Sequence, residues 1–374
     1  MNVDGFGQVT SPFLTGFIEP ISEGGFPPAA ALAGASGSSS STTTAPRGTT
    51  GTTTTPRTRN PLAPPPAQPR IETRAGSGRL AVTRQAIAVA GRLRGLDDRS
   101  KALDGAYKSH AKGAAPMTRR IRRDFQPRAC QFGPLDGVTL TPRNYLAELP
   151  DLFYLHGGGY SAPPNTTHWW LMAQLAERFG VRIHFMRYPL IPQSTAVDTV
   201  ASVVHAFLRA AAELGEPPIV AGDSSGGGLS LALALTLRDI GALQPSHLVL
   251  FAPWIDLTAS TPGFSDCVDR DPMLAQEGIE LAAEIYAGSL DRRNPIVSPL
   301  FGDPTGLCPT TLVLGTSDAL YAEGAAWAEK AEAAGVDVAT FTAHGGFHVF
   351  PAATWLPESQ AAYNYIKARL STLR

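Results

Sequence analysis

"PIVAGDSSGGGLSLALALTL", Pro218 to Leu237, begins apolar, breaks into small and polar residues, and turns apolar again. The first run has the length of a strand and the second that of a helix. Between them Gly222-Asp223-Ser224-Ser225-Gly226 fits the pattern G-x-S-x-G. The pattern carries chemistry where a strand enters it and a helix leaves it. The serine then sits on a tight turn, with its hydroxyl at the helix N-terminus. There the unpaired N–H groups and the helix dipole favour a developing negative charge. Small residues two before and two after it let the chain pass without clashes. The stretch predicts a nucleophilic Ser224. The Ser225 side chain is outside the pattern; its backbone N–H is the useful part.

The surrounding sequence supplies the sheet this turn needs. From Leu149 onward short apolar runs alternate with longer segments of helical spacing. "LFYL", "VRIHFM", "PPIVAG", "SHLVLFAP", "TTLVLGTSD" and "DVATFTA" read as strands. "THWWLMAQLAERF", with Thr166 or Thr167 as N-cap, "TAVDTVASVVHAFLRAAAEL", "SGGGLSLALALTLRDIG", "EGAAWAEKAEAAG" and Pro357–Leu373 read as helices. Such alternation with apolar strands predicts an α/β fold, a mostly parallel sheet covered by helices on both faces. Residues 258–305 break the rhythm with several prolines and read as an insertion over the carboxyl ends of the strands, where ligands of such sheets bind. Residues 116–147 hold two candidate strands, "DGVTLTP" the better.

A serine hydroxyl needs a base, and the base an orienting acid. In this type of sheet the chain order is serine, then acid, then histidine. Asp318 follows "TLVLGTS" and His348 follows "DVATFTAHGGF", both at carboxyl ends of strands. The competitors are His344 for the base, and Asp256 and Glu323 for the acid. His344 and His348 have H-x-x-x-H spacing, but Gly345 and Gly346 argue against the helix a zinc pair requires. His110, His168, His184, His205 and His247 have nothing at motif spacing and read as ordinary surface or partly buried residues. "YLHGGGY", Tyr154–Tyr160, places three glycines after a strand, so that backbone N–H groups can face a substrate. It contains no lysine, as a phosphate loop of the P-loop type would.

The bulk properties set limits. The chain has 374 residues, net charge −1 and 43% hydrophobic residues, ordinary for a globular protein. Residues 71–128 carry 14 Lys/Arg against 5 Asp/Glu, and residues 129–374 carry 13 against 24. A basic segment beside an acidic body is read as packing against it; no nucleic-acid-binding signature accompanies the charge. The three cysteines, Cys130, Cys267 and Cys308, lie far apart with no C-x-x-C spacing, which argues against zinc clusters and points to free thiols. No apolar run reaches the ~18 residues of a membrane span. No basic residue precedes Arg47, so the start lacks the pattern of a signal peptide, and the location expected is cytoplasmic. Residues 1–70 are rich in Ser, Thr, Gly and Pro and predict a disordered tail. In residues 71–128, "RLAVTRQAIAVAGRLRGL" reads as a helix that either covers a groove on the main body or lies on a membrane surface, and residues 129–374 read as the catalytic domain.

Taken together, "HGGGY", "GDSSGGG", "APWIDLT", "NPIVSPLFGD", "GTSDALYAEG" and "GFHVF" resemble the hormone-sensitive-lipase-like carboxylesterases of the α/β-hydrolase superfamily. The resemblance covers Leu149 to the C-terminus. It implies Ser224 as nucleophile, Asp318 as acid and His348 as base. It further implies Gly158, Gly159 and the Ser225 amide as oxyanion donors, Gly157 as support for the turn, and a cap from residues 71–128 and 258–305. The sequence departs from the family pattern at Ser225, where Ala is usual, in "YPLIPQ" (188–193), at Ala322 and at Val349. The function expected is hydrolysis of short- to medium-chain carboxylic esters through an acyl-enzyme, with a small-molecule ester as partner and no cofactor or metal. The alternatives are an amidase or deacetylase on the same triad, and a catalytically silent binding member such as the plant gibberellin receptors, which lack the histidine.

Overall fold

The computed structural model describes residues 70–373 apart from 74, 95–107 and 109. The expected tail, except Arg70, and the middle of the expected 71–128 cap segment lie outside the described residues. Nine strands form one sheet: β1 (Ile71–Glu72), β2 (Arg128–Phe132), β3 (Leu135–Leu140), β4 (Leu152–Leu155), β5 (Ile183–Arg187), β6 (Ile219–Asp223), β7 (Leu248–Phe251), β8 (Thr310–Gly315) and β9 (Val338–Ala343). Their order across the sheet is β1-β9-β8-β7-β6-β4-β5-β3-β2. Strands β4 to β9 are mutually parallel, while β2–β3 and β3–β5 pair antiparallel.

Alternation within each strand builds a core on either face. Phe153, Leu155, Val220, Leu248, Leu250, Leu312 and Leu314 enter one cluster. Leu152, Tyr154, Ile219, Ala221, Val249, Phe251 and Val313 enter the other. The first face is covered by α4 (Ala196–Leu214), α5 (Ser225–Asp239) and α8 (Tyr321–Ala333). The second is covered by α1 (Gly78–Arg94), α2 (Arg119–Asp124), α3 (Thr166–Phe179) and α9 (Pro357–Leu370). Helix α5 is buried from Ser225 to Leu237. Its small residues allow close contact, and the hydroxyls of Ser230 and Thr236 donate back to the carbonyls of Gly226 and Ala232, at 2.7 and 2.8 Å. These two hydroxyls are thereby satisfied within the helix itself.

Several local expectations need correction. Helix α3 is capped by Asn165, not by Thr166 or Thr167: Asn165 Oδ1 accepts from the Thr167 amide, and His168 Nδ1 accepts from the Asn165 amide. The segment 71–128 is not wholly a cap, because Ile71 and Glu72 pair with Phe341 and Thr342 as an edge strand of the main sheet. The two strands foreseen in 116–147 form the β2–β3 pair, which α2 precedes. The insertion between β7 and β8 carries two helices, α6 (Phe264–Arg270) and α7 (Gln276–Ala287). Among the described residues no helix is long and apolar enough to cross a membrane. The cysteines are free, with Cys130 half-buried and Cys267 and Cys308 buried.

Candidate active site

The sheet order places the site. From β4 the chain moves outward to β5, then returns past β4 to β6, so β4 and β6 are neighbours at a point where the winding reverses. Ligands of open α/β sheets bind outside the strand ends at such a crevice. The pair Leu155↔Gly222 ends the β4–β6 register, so the glycine loop after β4 faces the serine turn after β6.

Ser224 has φ 53° and ψ −125°. A non-glycine residue there stores roughly 1–3 kcal/mol, and persists only if its surroundings over-determine it. They do so here. The Ser224 amide donates to Phe251 at 2.9 Å, and its carbonyl accepts from Gly228 at 3.0 Å and Trp254 at 2.9 Å. The flanking glycines are required by contact. A Cβ on Gly222 would lie 2.3 Å from the Gly226 carbonyl oxygen, and one on Gly226 would lie 2.1 Å from that of Leu155.

His348 and Asp318 lie together. His348 Nδ1 is 3.0 and 3.1 Å from the two Asp318 oxygens, so Nε2 is the ring nitrogen left for another partner. Both side chains are buried. Burial alone would push the imidazole pKa down, but the Asp318 carboxylate, joined by Asp271 and Asp223, outweighs it and holds the ring up at about 9. The loops carrying the pair are bound to each other: the amides of Thr316 and Ser317 donate to Ala343 and Gly346, at 3.1 and 2.8 Å. Arg84 of α1 donates to Ser317 Oγ at 2.8 Å, which fastens the N-terminal helix to the same loop.

The competitors are otherwise employed. Asp256 accepts from the amides of Thr258, Ser260 and Thr261 and from the hydroxyls of Thr258 and Thr261. Glu323 Oε1 accepts from the amides of Ile255 and Asp256. Burial pushes the Glu323 carboxyl well above its usual range. His344 is exposed, and its amide donates to Thr73 Oγ1.

The glycine loop divides its labour. The Gly157 amide donates to Asp223 Oδ1 at 3.0 Å. Gly158 and Gly159 have φ of 132° and 59°, a path open to glycine. Among the described residues, the amides of Gly158, Gly159 and Ser225 make no backbone hydrogen bond outside regular structure. Tyr160, next along, is stacked on Tyr286 of α7, with centroids 3.6 Å apart and planes at 6°. The insertion therefore braces this loop.

Sequence reasoning missed what holds the loop against the serine turn. Asp223 occupies the variable position of G-x-S-x-G. It is buried and accepts from Tyr154 Oη at 2.7 Å as well as from Gly157. His168 Nε2 lies 3.4 Å from its other oxygen. Burial opposes its charge, but these partners outweigh burial and keep the carboxyl below its usual range. His168, read as ordinary, is thus buried beside the site. His184 and His247 are buried too, at hydrogen-bonding distance from Thr139 and Asp151 and from Thr311 respectively. His156 is stacked on Tyr188, and burial lowers its pKa to about 4. Of two adjacent tryptophans, Trp169 is core and donates to the Ala115 carbonyl, whereas Trp170 is exposed against Trp355. Among the described residues no three His, Cys, Asp or Glu side chains are grouped to hold a metal ion.

Comparison with known proteins identifies the family. A family model described as alpha/beta hydrolase fold matches residues 152–352. An esterase of Acinetobacter venetianus is 33% identical over 219 residues, covering 56% of this chain and 71% of its own length. An acetyl-hydrolase of Streptomyces hygroscopicus is 32% identical over 228 residues, covering 59% and 75%. A solved hormone-sensitive lipase from a metagenome library superposes with a TM-score of 0.67 at 27% identity, covering 79% of this chain and 97% of that one. The chain belongs to the α/β-hydrolase-fold family, among its hormone-sensitive-lipase-like esterases, and is a carboxylic ester hydrolase.

Proposed function

We propose that Ser224, His348 and Asp318 act as a catalytic triad on short- to medium-chain carboxylic esters. His348 Nε2 takes the Ser224 proton as Oγ attacks the ester carbonyl carbon. The amides of Gly158, Gly159 and Ser225 hold the oxyanion. His348 then passes the proton to the departing alcohol, leaving an acyl-serine. Water, deprotonated by the same imidazole, releases the acid and restores the serine. Asp318 orients the ring and stabilises its charged form.

Two observations carry this reading together: the buried Asp318–His348 pair at the ends of β8 and β9, and the strained Ser224 turn at the end of β6. The same pair argues against a silent binding protein, which has no use for an oriented imidazole. The acetyl-hydrolase among the relatives supports small acyl groups. A fluorophosphonate probe tests the assignment, since only an activated serine reacts with it. Peptide mapping should find the adduct on Ser224 in the wild type and none in Ser224→Ala. An unlabelled wild type, or an adduct elsewhere, would sink it.

A further inference from the structure

Asp271 ends α6 in the insertion between β7 and β8. Its carboxylate is engaged on two sides. Oδ1 accepts from the amides of Met273 and Leu274 at 2.6 and 2.9 Å, closing a turn of its own segment. Oδ2 crosses to a different segment and accepts from the Ala319 amide at 2.7 Å. Ala319 follows Asp318, whose Oδ1 in turn accepts from the Leu320 amide at 2.9 Å. Two carboxylates from segments far apart in sequence thus hold one turn, and that turn carries the acid paired with His348.

We infer that Asp271 is a positioning residue for the Asp318–His348 pair, fixing the turn that carries Asp318 and adding a second negative charge in the field of His348. The inference rests on the triad assignment above. Its chemical content is electrostatic. As Ser224 loses its proton, His348 becomes an imidazolium, and a second nearby carboxylate lowers the energy of that form.

The charges around the pair allow this role. Asp271 interacts with Asp318 and His348. Cys267 and Arg270, on the same helix, contact each other at 3.5 Å. From α1, Arg84 is engaged by Ser317. From the serine turn, Asp223 adds a further negative contribution at His348. Burial pushes the carboxyl of Glu323, from α8, well above its usual range. Burial, with Asp318 beside it, pushes the Asp271 carboxyl up to about 6, which still leaves it charged at neutral and alkaline pH.

Asp271→Asn keeps an acceptor and removes the charge. Asp271→Ser keeps an acceptor for the Met273 and Leu274 amides and removes both the charge and the reach to Ala319. In both, the acid limb of kcat/KM should move to lower pH by roughly half a unit or more, because His348 loses a counter-charge. The His348 ring titration followed by NMR should move with it. Plateau kcat should fall about tenfold, while KM changes less than about twofold, as for a group that acts on the charged intermediate rather than on binding. An acid limb that stays in place in both variants would overturn the inference. So would the unfolding of both, which would make the carboxylate a folding device of the insertion alone. Fluorophosphonate labelling of Ser224 in the wild type is scored in parallel. Its absence would strike the triad assignment, whereas labelling with an unmoved limb strikes only Asp271.

Discussion

Raising the pH should make this enzyme faster and less stable over one and the same interval. His348 is held at about 9 by its buried carboxylate neighbours, Asp318 foremost, against the opposing effect of burial. In an unfolded chain the same imidazole titrates near ~6.5. At ~1.4 kcal/mol for each tenfold gain in proton affinity, proton binding favours the folded state by roughly 3 kcal/mol. The sign follows. Below about 6.5 both states hold the proton, and the full contribution of the ion pair is present. As pH rises through about 9 the folded state gives up its proton, and that contribution is lost. The proposed mechanism has the opposite need, since only the neutral ring can accept the Ser224 proton. The perturbation is therefore a pH step from 6 to 10, applied to the wild type and to His348→Gln. Urea unfolding, followed by tryptophan fluorescence, gives the stability of each; their difference isolates the histidine from all other titrating groups. It should shrink by roughly 3 kcal/mol across the step. Over the same range kcat/KM on a water-soluble ester should climb, with its acid limb above the ordinary histidine range. A stability difference that stays flat, or a limb near ~6.5, would show that Asp318 does not hold the proton on His348.

Four further outcomes are expected. Asp318→Asn should lower kcat roughly 10⁴-fold through a mis-set imidazole, measured at saturating ester. Asp256→Asn should instead lower the melting temperature, because five donors depend on its carboxylate, and a greater loss of kcat there than at Asp318 in a folded protein would reassign the acid. Gly226→Ala should fail to fold or lose activity in the soluble fraction, since its Cβ would lie 2.1 Å from the Leu155 carbonyl oxygen; a normal melting curve and full activity would show that the turn can yield. Along a series of acyl esters kcat/KM should rise by about 0.8 kcal/mol per buried methylene and peak by roughly eight carbons, and a rate that climbs through long chains or jumps at an oil–water interface would refute the short- to medium-chain preference.

The elements from residue 152 onward were legible because their periodicities are clean. Alternate residues of the strands feed two opposite cores, and the helices run long enough to show their spacing. The serine turn and the Asp318 and His348 positions were legible for a related reason: each follows a strand end, where the pattern itself marks a change of direction. What escaped notice depends on contacts across the fold. Asp223 sits at a motif position that accepts any residue, and its bonds run to Tyr154 and Gly157, 69 and 66 residues away. Asp271 meets Ala319 across 48 residues. Helix α2 has six residues, four of them arginines, with only Ile121 buried, so no apolar spacing announces it. The β1 strand is two residues long, and nothing local distinguishes it from a linker.

That short strand bears on how the protein behaves at high concentration. A free sheet edge is a template on which a strand from another molecule can pair. Here β9 is capped by Ile71 and Glu72, and the Thr73 amide continues the ladder to Thr342 at 3.0 Å. The new edge this creates is brief and ends in a carboxylate, a poor landing place for a stranger. Beside it, Arg70 ties the segment to Glu332 at 2.7 Å and to Glu329 at 3.7 Å. Removing residues 1–68 should leave both activity and the state of association in solution nearly unchanged. Removing five more, through Thr73, strips the guard from Phe341 and Thr342, and light scattering should then report self-association before any assay reports a loss of chemistry.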